Sequence, residues 1–270
     1  MNTDTKTGKM KKVGLALSGG GVRGVSHLGV IQALIDNGIE FSHISGTSAG
    51  AVAAAFFAEG YAPKEILQII KDAKLLKLLR PALGSTGLIS ILNVRSILQK
   101  YIPHNSFEKL KTQVTIASVD LGESKLVYFT EGELDIAVLA SCCLPGLFRP
   151  IIIDDHMYVD GGILNNFPVD PLVGNCDLII GSSCNHLPIV TEIKSFGGMI
   201  DRAAMIAINS SLNAHKILCD VVIEPHGLGS FGIFDTDAAD EIYAIGYEEG
   251  LKTIEGNETL KAFISGLKKG

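Results

Sequence analysis

The feature that most constrains the fold is a short apolar run, Val13–Leu17, which leads through Ser18 into three consecutive glycines. A run of this kind followed by glycines is typical of a buried strand that enters a turn. Apolar residues then recur at helical spacing over residues 24–36, a second apolar run covers residues 41–45, and residues 51–58 are rich in alanine. This order predicts a βαβα unit, which favours a mainly parallel sheet.

The rest of the chain continues to alternate helices and strands, without repeats or a recognisable linker. We therefore predict a single three-layer α/β/α domain over residues 12–270, preceded by a loose tail at residues 1–11. The apolar patterns predict helices at residues 63–79, 93–101, 135–143, 196–218 and 237–254. They predict further strands at residues 114–119, 125–129, 151–153, 157–159, 178–181 and 221–223.

Composition excludes several classes of protein. With 47% hydrophobic and 19% charged residues, the chain is expected to be globular. A net charge of −6 argues against a nucleic-acid binder. The five cysteines form no CxxC pair and no zinc pattern, so we expect reduced thiols and neither a metal nor a cofactor. Residues 1–12 are polar and unlike a secretory signal, so a cytoplasmic location is expected.

Ser48 lies at the centre of the segment Gly46–Gly50 (GTSAG), between the second apolar run and the alanine-rich stretch. Glycines at 46 and 50 remove the Cβ atoms that would clash in a tight strand-to-helix bend. The start of the following helix adds N–H donors near a developing oxyanion. The segment therefore predicts a nucleophilic serine with an exposed hydroxyl.

The glycine-rich loop Gly19–Gly24 (GGGVRG) follows the first strand, and its backbone N–H groups can bind an anion. A dinucleotide loop would also need an acidic residue at the end of the second strand, where this chain has Ser45. We therefore favour an oxyanion hole, formed by the N–H groups of Gly20 and Gly21, over a nucleotide site.

Asp160 follows the strand-like residues 157–159 and precedes Gly161 and Gly162. An acid at a strand end, followed by two glycines, can point into a cleft with little steric cover. Such a carboxylate can act as the base for Ser48 if its surroundings raise its pKa toward the working pH. Asp-Gly is also among the commonest turn dipeptides, and on local sequence alone a plain turn is the stronger interpretation.

Together, the Ser18–Gly24 loop, the Gly46–Gly50 elbow and Asp160 with its glycines resemble the patatin-like phospholipases in order and context. Residues 141–148 are similar to the family's segment ahead of the catalytic acid, and residues 160–169 to the segment that carries it. The resemblance runs from about Lys11 to at least Asn185. The chain is similar to the bacterial, single-domain branch of the family.

The resemblance implies a serine acyl-ester hydrolase that acts on phospholipids, lysophospholipids or fatty esters. Ser48 would attack the ester carbonyl, Asp160 would accept its proton, and the N–H groups of Gly19–Gly21 would hold the oxyanion. Gly24, Gly46, Gly50, Gly161 and Gly162 are the accompanying motif glycines. The resemblance gives Arg23 a role in phosphate binding or loop support, whereas a structural salt bridge is an equal alternative.

Two further functions stay open. A Ser-His-Asp triad would need a histidine, and none of the seven has a signature of its own. They are His27, His43, His104, His156, His186, His215 and His226. Ser48 also comes after only two strands, which is early for such an enzyme. The other alternative is a regulatory or adaptor protein with little turnover, which the intact Ser48 and Asp160 disfavour.

Residues 66–92 alternate apolar pairs with Lys71, Lys74, Lys77 and Arg80. A basic amphipathic stretch can form a lid or a peripheral membrane contact. A core-facing helix with solvated lysines is the favoured interpretation, because amphipathic surface helices are the norm. Neither the lipid head group nor the oligomeric state follows from the sequence.

Overall fold

The computed structural model describes residues 11–72, 92–186, 189–193, 195–232 and 235–267. Its strands are β1 (Val13–Leu17), β2 (His43–Thr47), β3 (Gln113–Asp120), β4 (Lys125–Phe129), β5 (Ile151–Ile153), β6 (His156–Asp160), β7 (Leu178–Ser182) and β8 (Val221–Ile223). Its helices are α1 (Val25–Asp36), α2 (Ala49–Glu59), α3 (Pro63–Asp72), α4 (Leu92–Tyr101), α5 (Leu134–Ser141), α6 (Phe196–Ile208), α7 (Leu212–Lys216), α8 (Ala239–Gly256) and α9 (Glu258–Leu267).

The strands form one sheet in the order β5-β6-β3-β2-β1-β7-β8, and β4 also pairs with β3. Strands β3, β2, β1, β7 and β8 are mutually parallel, as the βαβα pattern predicts. The antiparallel pairs all involve β4, β5 or β6, which are joined to the sheet through β3. Ala117 and Ser118 both pair with β4 on one edge of β3, so β2 and β6 share the other edge. The strand that leads to Ser48 and the strand that ends at Asp160 therefore meet side by side along the same edge of β3.

The core lies on both faces of this sheet. Leu15 and Leu17 belong to the larger apolar cluster, which includes the buried faces of α1, α2 and α8. Ala16, which points the other way because side chains alternate along a strand, belongs to a smaller cluster with Phe167 and Leu172. The sheet is therefore covered on both sides, and the two clusters make it the middle of three layers.

The structure differs from the sequence prediction at two helices. The helix predicted over residues 196–218 is interrupted between α6 and α7, because the Asn209 side chain donates to Met205 O at 2.9 Å and ends α6. Helix α9 was not predicted at all, although Asn257 caps it by accepting the Leu260 N–H at 3.0 Å.

Several predictions fall on residues that the structure does not describe. Helix α3 confirms a helix from residue 63, but residues 73–79 of that prediction lie outside the described residues. The same holds for the tail at residues 1–11, except for Lys11. No helix among the described residues combines the length and the hydropathy that spanning a membrane requires.

Candidate active site

Ser48 lies in the turn between β2 and α2, and its backbone has φ 52° and ψ −118°. A positive φ is unusual for a residue with a side chain and costs about 1–3 kcal/mol, which the surrounding structure must offset. Strain of this kind is common at functional sites. The side chain is half-buried, so its hydroxyl is held at the turn and remains accessible.

The glycines on both sides of Ser48 are required by close backbone contacts. A Cβ on Gly46 would lie 2.5 Å from Gly50 O, and a Cβ on Gly50 would lie 2.4 Å from Leu17 O. Both distances are well inside van der Waals contact, and the neighbouring atoms are backbone that cannot move aside. The elbow and the end of β1 can therefore pack together only with glycine at these positions.

Asp160 ends β6 and is buried, with 5% of its surface exposed. Its Oδ1 accepts the Gly162 N–H at 2.8 Å, and its carboxyl also interacts with the Ser48 side chain. Burial raises the pKa of Asp160 to about 6, and the contacts with Gly162 and Ser48 limit this rise because they stabilise the carboxylate. The structure thus brings the predicted nucleophile and the predicted acid together.

One pocket contains both side chains. Ser48, Asp160, Gly20 and Gly21 line it. Its apolar wall includes Val25, Leu28, Val52, Ile70, Leu144, Leu147, Phe148, Ile163, Met205 and Ile208. No histidine is among the described residues that line the pocket, so a triad finds no support in this part of the chain.

The glycine loop reaches the pocket with two of its three candidate N–H groups. The Gly19 N–H donates to Asn166 O at 3.0 Å, so it is already used inside the protein. Within the described part of the chain, the N–H groups of Gly20 and Gly21 have no acceptor outside the turn itself. Gly21 has φ 59°, which favours glycine. Of the three N–H groups expected to hold an oxyanion, that of Gly19 is therefore occupied, and those of Gly20 and Gly21 are left to face the pocket.

Arg23 and Gly24 support the loop from behind. Arg23 is 9% exposed, its Nε donates to Phe231 O at 2.9 Å, and it forms no ion pair with a described residue. It does not line the pocket, so loop support is the role that its contacts favour. A Cβ on Gly24 would lie 2.4 Å from the Ala49 Cβ, which shows how closely the loop packs on the elbow.

His27 is a further support that sequence reasoning missed. It is fully buried, and its Nε2 donates to Ser18 O at 2.8 Å, because a carbonyl oxygen can only accept. Its Nδ1 then accepts from Ser182 Oγ at 2.8 Å. Burial lowers the pKa of His27 to about 4, so the ring is neutral at pH 7. His27 therefore joins β1 to β7 behind the glycine loop and does not face Ser48.

Cys142 lines the pocket together with Ser48 and Asp160. Burial and the nearby Asp160 raise the pKa of its thiol well above the usual value, so it stays protonated at neutral pH. All five cysteines are free thiols. A protonated thiol at this position is a wall of the pocket and not a competing nucleophile.

One cluster brings together three side chains of types that can bind a metal ion, and the expectation that the chain holds no metal stays a prediction. The ligand atoms of Asp120, Glu123 and His156 all lie within 4.8 Å of one another. His156 Nδ1 lies 2.6 Å from Asp120 Oδ2, and this hydrogen bond raises the pKa of His156. None of the three residues lines the pocket, so no step at Ser48 is assigned to them.

The fold and the pocket agree with the comparison to known families. The sequence model of the patatin-like phospholipase family matches residues 15–173, a range that includes Gly19–Gly24, Ser48 and Asp160. This chain belongs to the patatin-like phospholipase family.

Two curated relatives are similar to this chain. An uncharacterized NTE family protein of Mycobacterium bovis is 34% identical over 177 residues, which are 64% of this chain and 49% of the relative. The lysophospholipase nte1 of Neosartorya fischeri is 26% identical over an alignment of 290 positions, which covers 92% of this chain and 18% of that protein. The chain therefore spans about half the length of one relative and a small part of the other.

A solved structure shows the same fold. VipD from Legionella pneumophila superposes with a TM-score of 0.59 at 17% identity, covering 92% of this chain and 67% of VipD. Together with the family match, this likeness confirms the predicted three-layer α/β/α architecture with a mainly parallel sheet.

Proposed function

We propose that this protein hydrolyses acyl esters of lipids, with Ser48 as the nucleophile and Asp160 as its base. One observation carries the proposal: the hydroxyl of Ser48, held at a strained elbow, faces a buried carboxyl whose pKa is about 6. A base with a pKa near the working pH is ionised at neutral pH and still binds a proton well enough to remove it from the serine.

In the first half of the reaction, Ser48 Oγ bonds to the ester carbonyl carbon while its proton passes to the Asp160 carboxylate. The carbonyl oxygen becomes an oxyanion, which the N–H groups of Gly20 and Gly21 stabilise. The bond from this carbon to the alcohol oxygen then breaks, and the alcohol leaves with the proton from Asp160. The product is an acyl-enzyme on Ser48.

In the second half, water attacks the acyl-enzyme. Asp160 accepts a proton from the water as its oxygen bonds to the acyl carbon, and the same two N–H groups stabilise the second oxyanion. The bond to Ser48 Oγ breaks, Ser48 regains the proton, and the fatty acid leaves. The cycle needs no group beyond the dyad, the loop and water.

The pocket wall supports a lipid acyl chain as the part of the substrate next to Ser48. Leu28, Val52, Leu144 and Phe148 line the same pocket as Ser48 and Asp160. An apolar wall beside a few polar groups favours an aliphatic chain with one reacting polar bond. The family and the lysophospholipase relative support phospholipid, lysophospholipid or fatty ester substrates.

The route of the lipid to the pocket is proposed along α6. Within the predicted membrane contact at residues 66–92, the described apolar residues, such as Ile66 and Ile70, are buried, and residues 73–91 lie outside the described residues. Helix α6 instead presents Met205 and Ile208 to the pocket. Its exposed side chains include the large apolar residues Phe196, Met199 and Ile206. We propose that this exposed stripe contacts the lipid aggregate that supplies the substrate.

The experiment that tests the function compares wild type with Ser48→Ala. Wild type is expected to react with a fluorophosphonate probe and to hydrolyse members of a panel of short esters, lysophospholipids and phospholipids. Ser48→Ala is expected to do neither, with a loss of at least about 10³-fold in turnover. Absence of labelling in folded wild type would favour the regulatory or adaptor alternative.

A further inference from the structure

The direction of the Gly20 N–H is fixed by the peptide group that contains it. The carbonyl of Gly19 and the N–H of Gly20 belong to the same planar peptide and point in opposite directions. A side chain that holds the Gly19 carbonyl therefore also aims the Gly20 N–H. Rotation of this one peptide would turn the donor away and bring a carbonyl oxygen into its place.

Asn185 is the side chain that holds this carbonyl. Its Nδ2 donates to Gly19 O and, at 3.0 Å, to Ser18 Oγ. Because Gly19 O can only accept, the amide nitrogen of Asn185 must face the loop. The Asn166 Nδ2 lies at a longer 3.4 Å from the same oxygen, and the Cys184 thiol donates to it at 3.5 Å. Asn185 therefore makes the main contact with the Gly19 carbonyl.

The side-chain oxygen of Asn185 shows that this residue is not optimised for stability. Asn185 is 2% exposed, and its buried Oδ1 has no hydrogen-bond partner among the described residues. A buried acceptor without a hydrogen-bond partner destabilises the folded state. A residue that carries such a cost while it orders a functional loop is a compromise between stability and activity.

We infer that Asn185 is a positioning residue for the oxyanion hole. It lines the same pocket as Ser48 and Gly20, and it locks the Gly19–Gly20 peptide in the orientation that directs the Gly20 N–H to the ester oxygen. Asn185 itself touches no reacting atom and acts through the backbone. The inference rests on the proposed function, because the N–H is an oxyanion donor only if Ser48 attacks an ester.

The test compares Asn185→Ala with Asn175→Ala on a short soluble ester. Asn175 is a matched control, because its Nδ2 also donates to a backbone carbonyl, Pro171 O at 3.0 Å, on an exposed part of the chain. Asn185→Ala is expected to lower kcat by about 10²-fold, as when an oxyanion donor is lost. Its KM should stay within about threefold of wild type, because the ground state does not use the donor. Asn175→Ala should match wild type.

A second readout uses a trifluoromethyl ketone, which forms a tetrahedral oxyanion adduct with a serine nucleophile. Its affinity should fall with Asn185→Ala by about the same factor as kcat, while an ether analogue of the ester should bind as it does to wild type. Asn185→Asp places an oxygen opposite Gly19 O, so its kcat and its affinity for the ketone should fall at least as far. This variant provides the test of the inference if Asn185→Ala does not fold.

Three outcomes are distinct. A parallel loss of kcat and adduct affinity in a folded variant supports the inference. A kcat within about threefold of wild type, or a loss seen only in KM, overturns it and leaves the proposed function intact. Wild type without turnover that depends on Ser48 overturns the proposed function, and the inference with it.

Discussion

The hydroxyl of Ser141 accepts a hydrogen bond of 2.8 Å from the backbone N–H of Ser48. The same hydroxyl donates to Ala117 O at 2.6 Å, so it connects the elbow to β3. Ser141 is fully buried at the end of α5, where no solvent competes for these bonds. The strained backbone of Ser48 is therefore held by a side chain 93 residues away in the sequence.

Ser141→Ala should lower both stability and turnover. The Ser48 N–H and the Ala117 carbonyl would lose their partner, which costs about 1–3 kcal/mol, and the elbow would relax. Thermal unfolding and kcat on a short ester measure the two effects. Ser42→Ala is the control, because Ser42 Oγ donates to Val13 O at 3.0 Å on an exposed part of the chain. Equal activity of the two variants would remove Ser141 from the account of the elbow.

Activity should rise with pH through about 6. Asp160 acts as a base only when ionised, and burial raises its pKa to about 6. Below this value, kcat/KM should fall about tenfold per pH unit, and above it kcat/KM should level off. A profile on a soluble ester between about pH 4.5 and 8 checks this. A flat profile would mean that Asp160 is not the base.

Asp160→Asn should stabilise the folded protein at pH 8. The pKa of Asp160 rises from 3.8 to about 6 on folding, so above pH 6 the folded state contains a buried charge that destabilises it. At about 1.4 kcal/mol per pKa unit, the asparagine should gain at most on the order of 3 kcal/mol. The gain should disappear below pH 3.8, where the carboxyl is protonated in both states. Denaturant unfolding at the two pH values measures it, and a variant less stable than wild type at pH 8 would contradict the assignment.

Serine substitutions on α6 should separate lipid contact from chemistry. Met199→Ser combined with Ile206→Ser should weaken binding to phosphatidylcholine vesicles by about tenfold, because apolar area available to the lipid is lost. Turnover of a soluble ester should not change. Val173→Ser is the control, since Val173 is also an exposed apolar residue, with 48% of its surface accessible. Its neighbour Leu172 lies next to Gly14, near the start of β1, whereas the glycine loop of the pocket follows the end of β1. Equal vesicle binding by all three proteins would exclude α6 as the contact.

Local patterns were sufficient for the elements that carry the dyad. The apolar runs place β1 and β2, and the glycines at 46 and 50 predict the elbow because a tight turn leaves a local signature. Asp160 was ambiguous, since Asp-Gly is also a turn dipeptide and only the pairing of Ser118 with Asp160 brings β6 next to β3.

The supporting residues could not be predicted in the same way. Asn185 and Gly19 are 166 residues apart in the sequence, and neither position has a local pattern that announces the contact. Gly19 was expected to offer its N–H to the oxyanion, but the fold places Asn166 O within 3.0 Å of it. Contacts of this kind follow from the packing of the whole sheet and not from periodicity.

The pairing of β3 with both β2 and β6 makes the proposed reactivity of Ser48 a measure of correct folding. Thr47 pairs with Ala117 and Asp160 pairs with the next residue, Ser118, on the same edge of β3. A slip of β6 by a single residue would move Asp160 to the opposite face of the sheet and separate it from Ser48, while the content of strand would hardly change. Titration with a fluorophosphonate would therefore count the refolded molecules that have the native strand register, a population that circular dichroism does not distinguish.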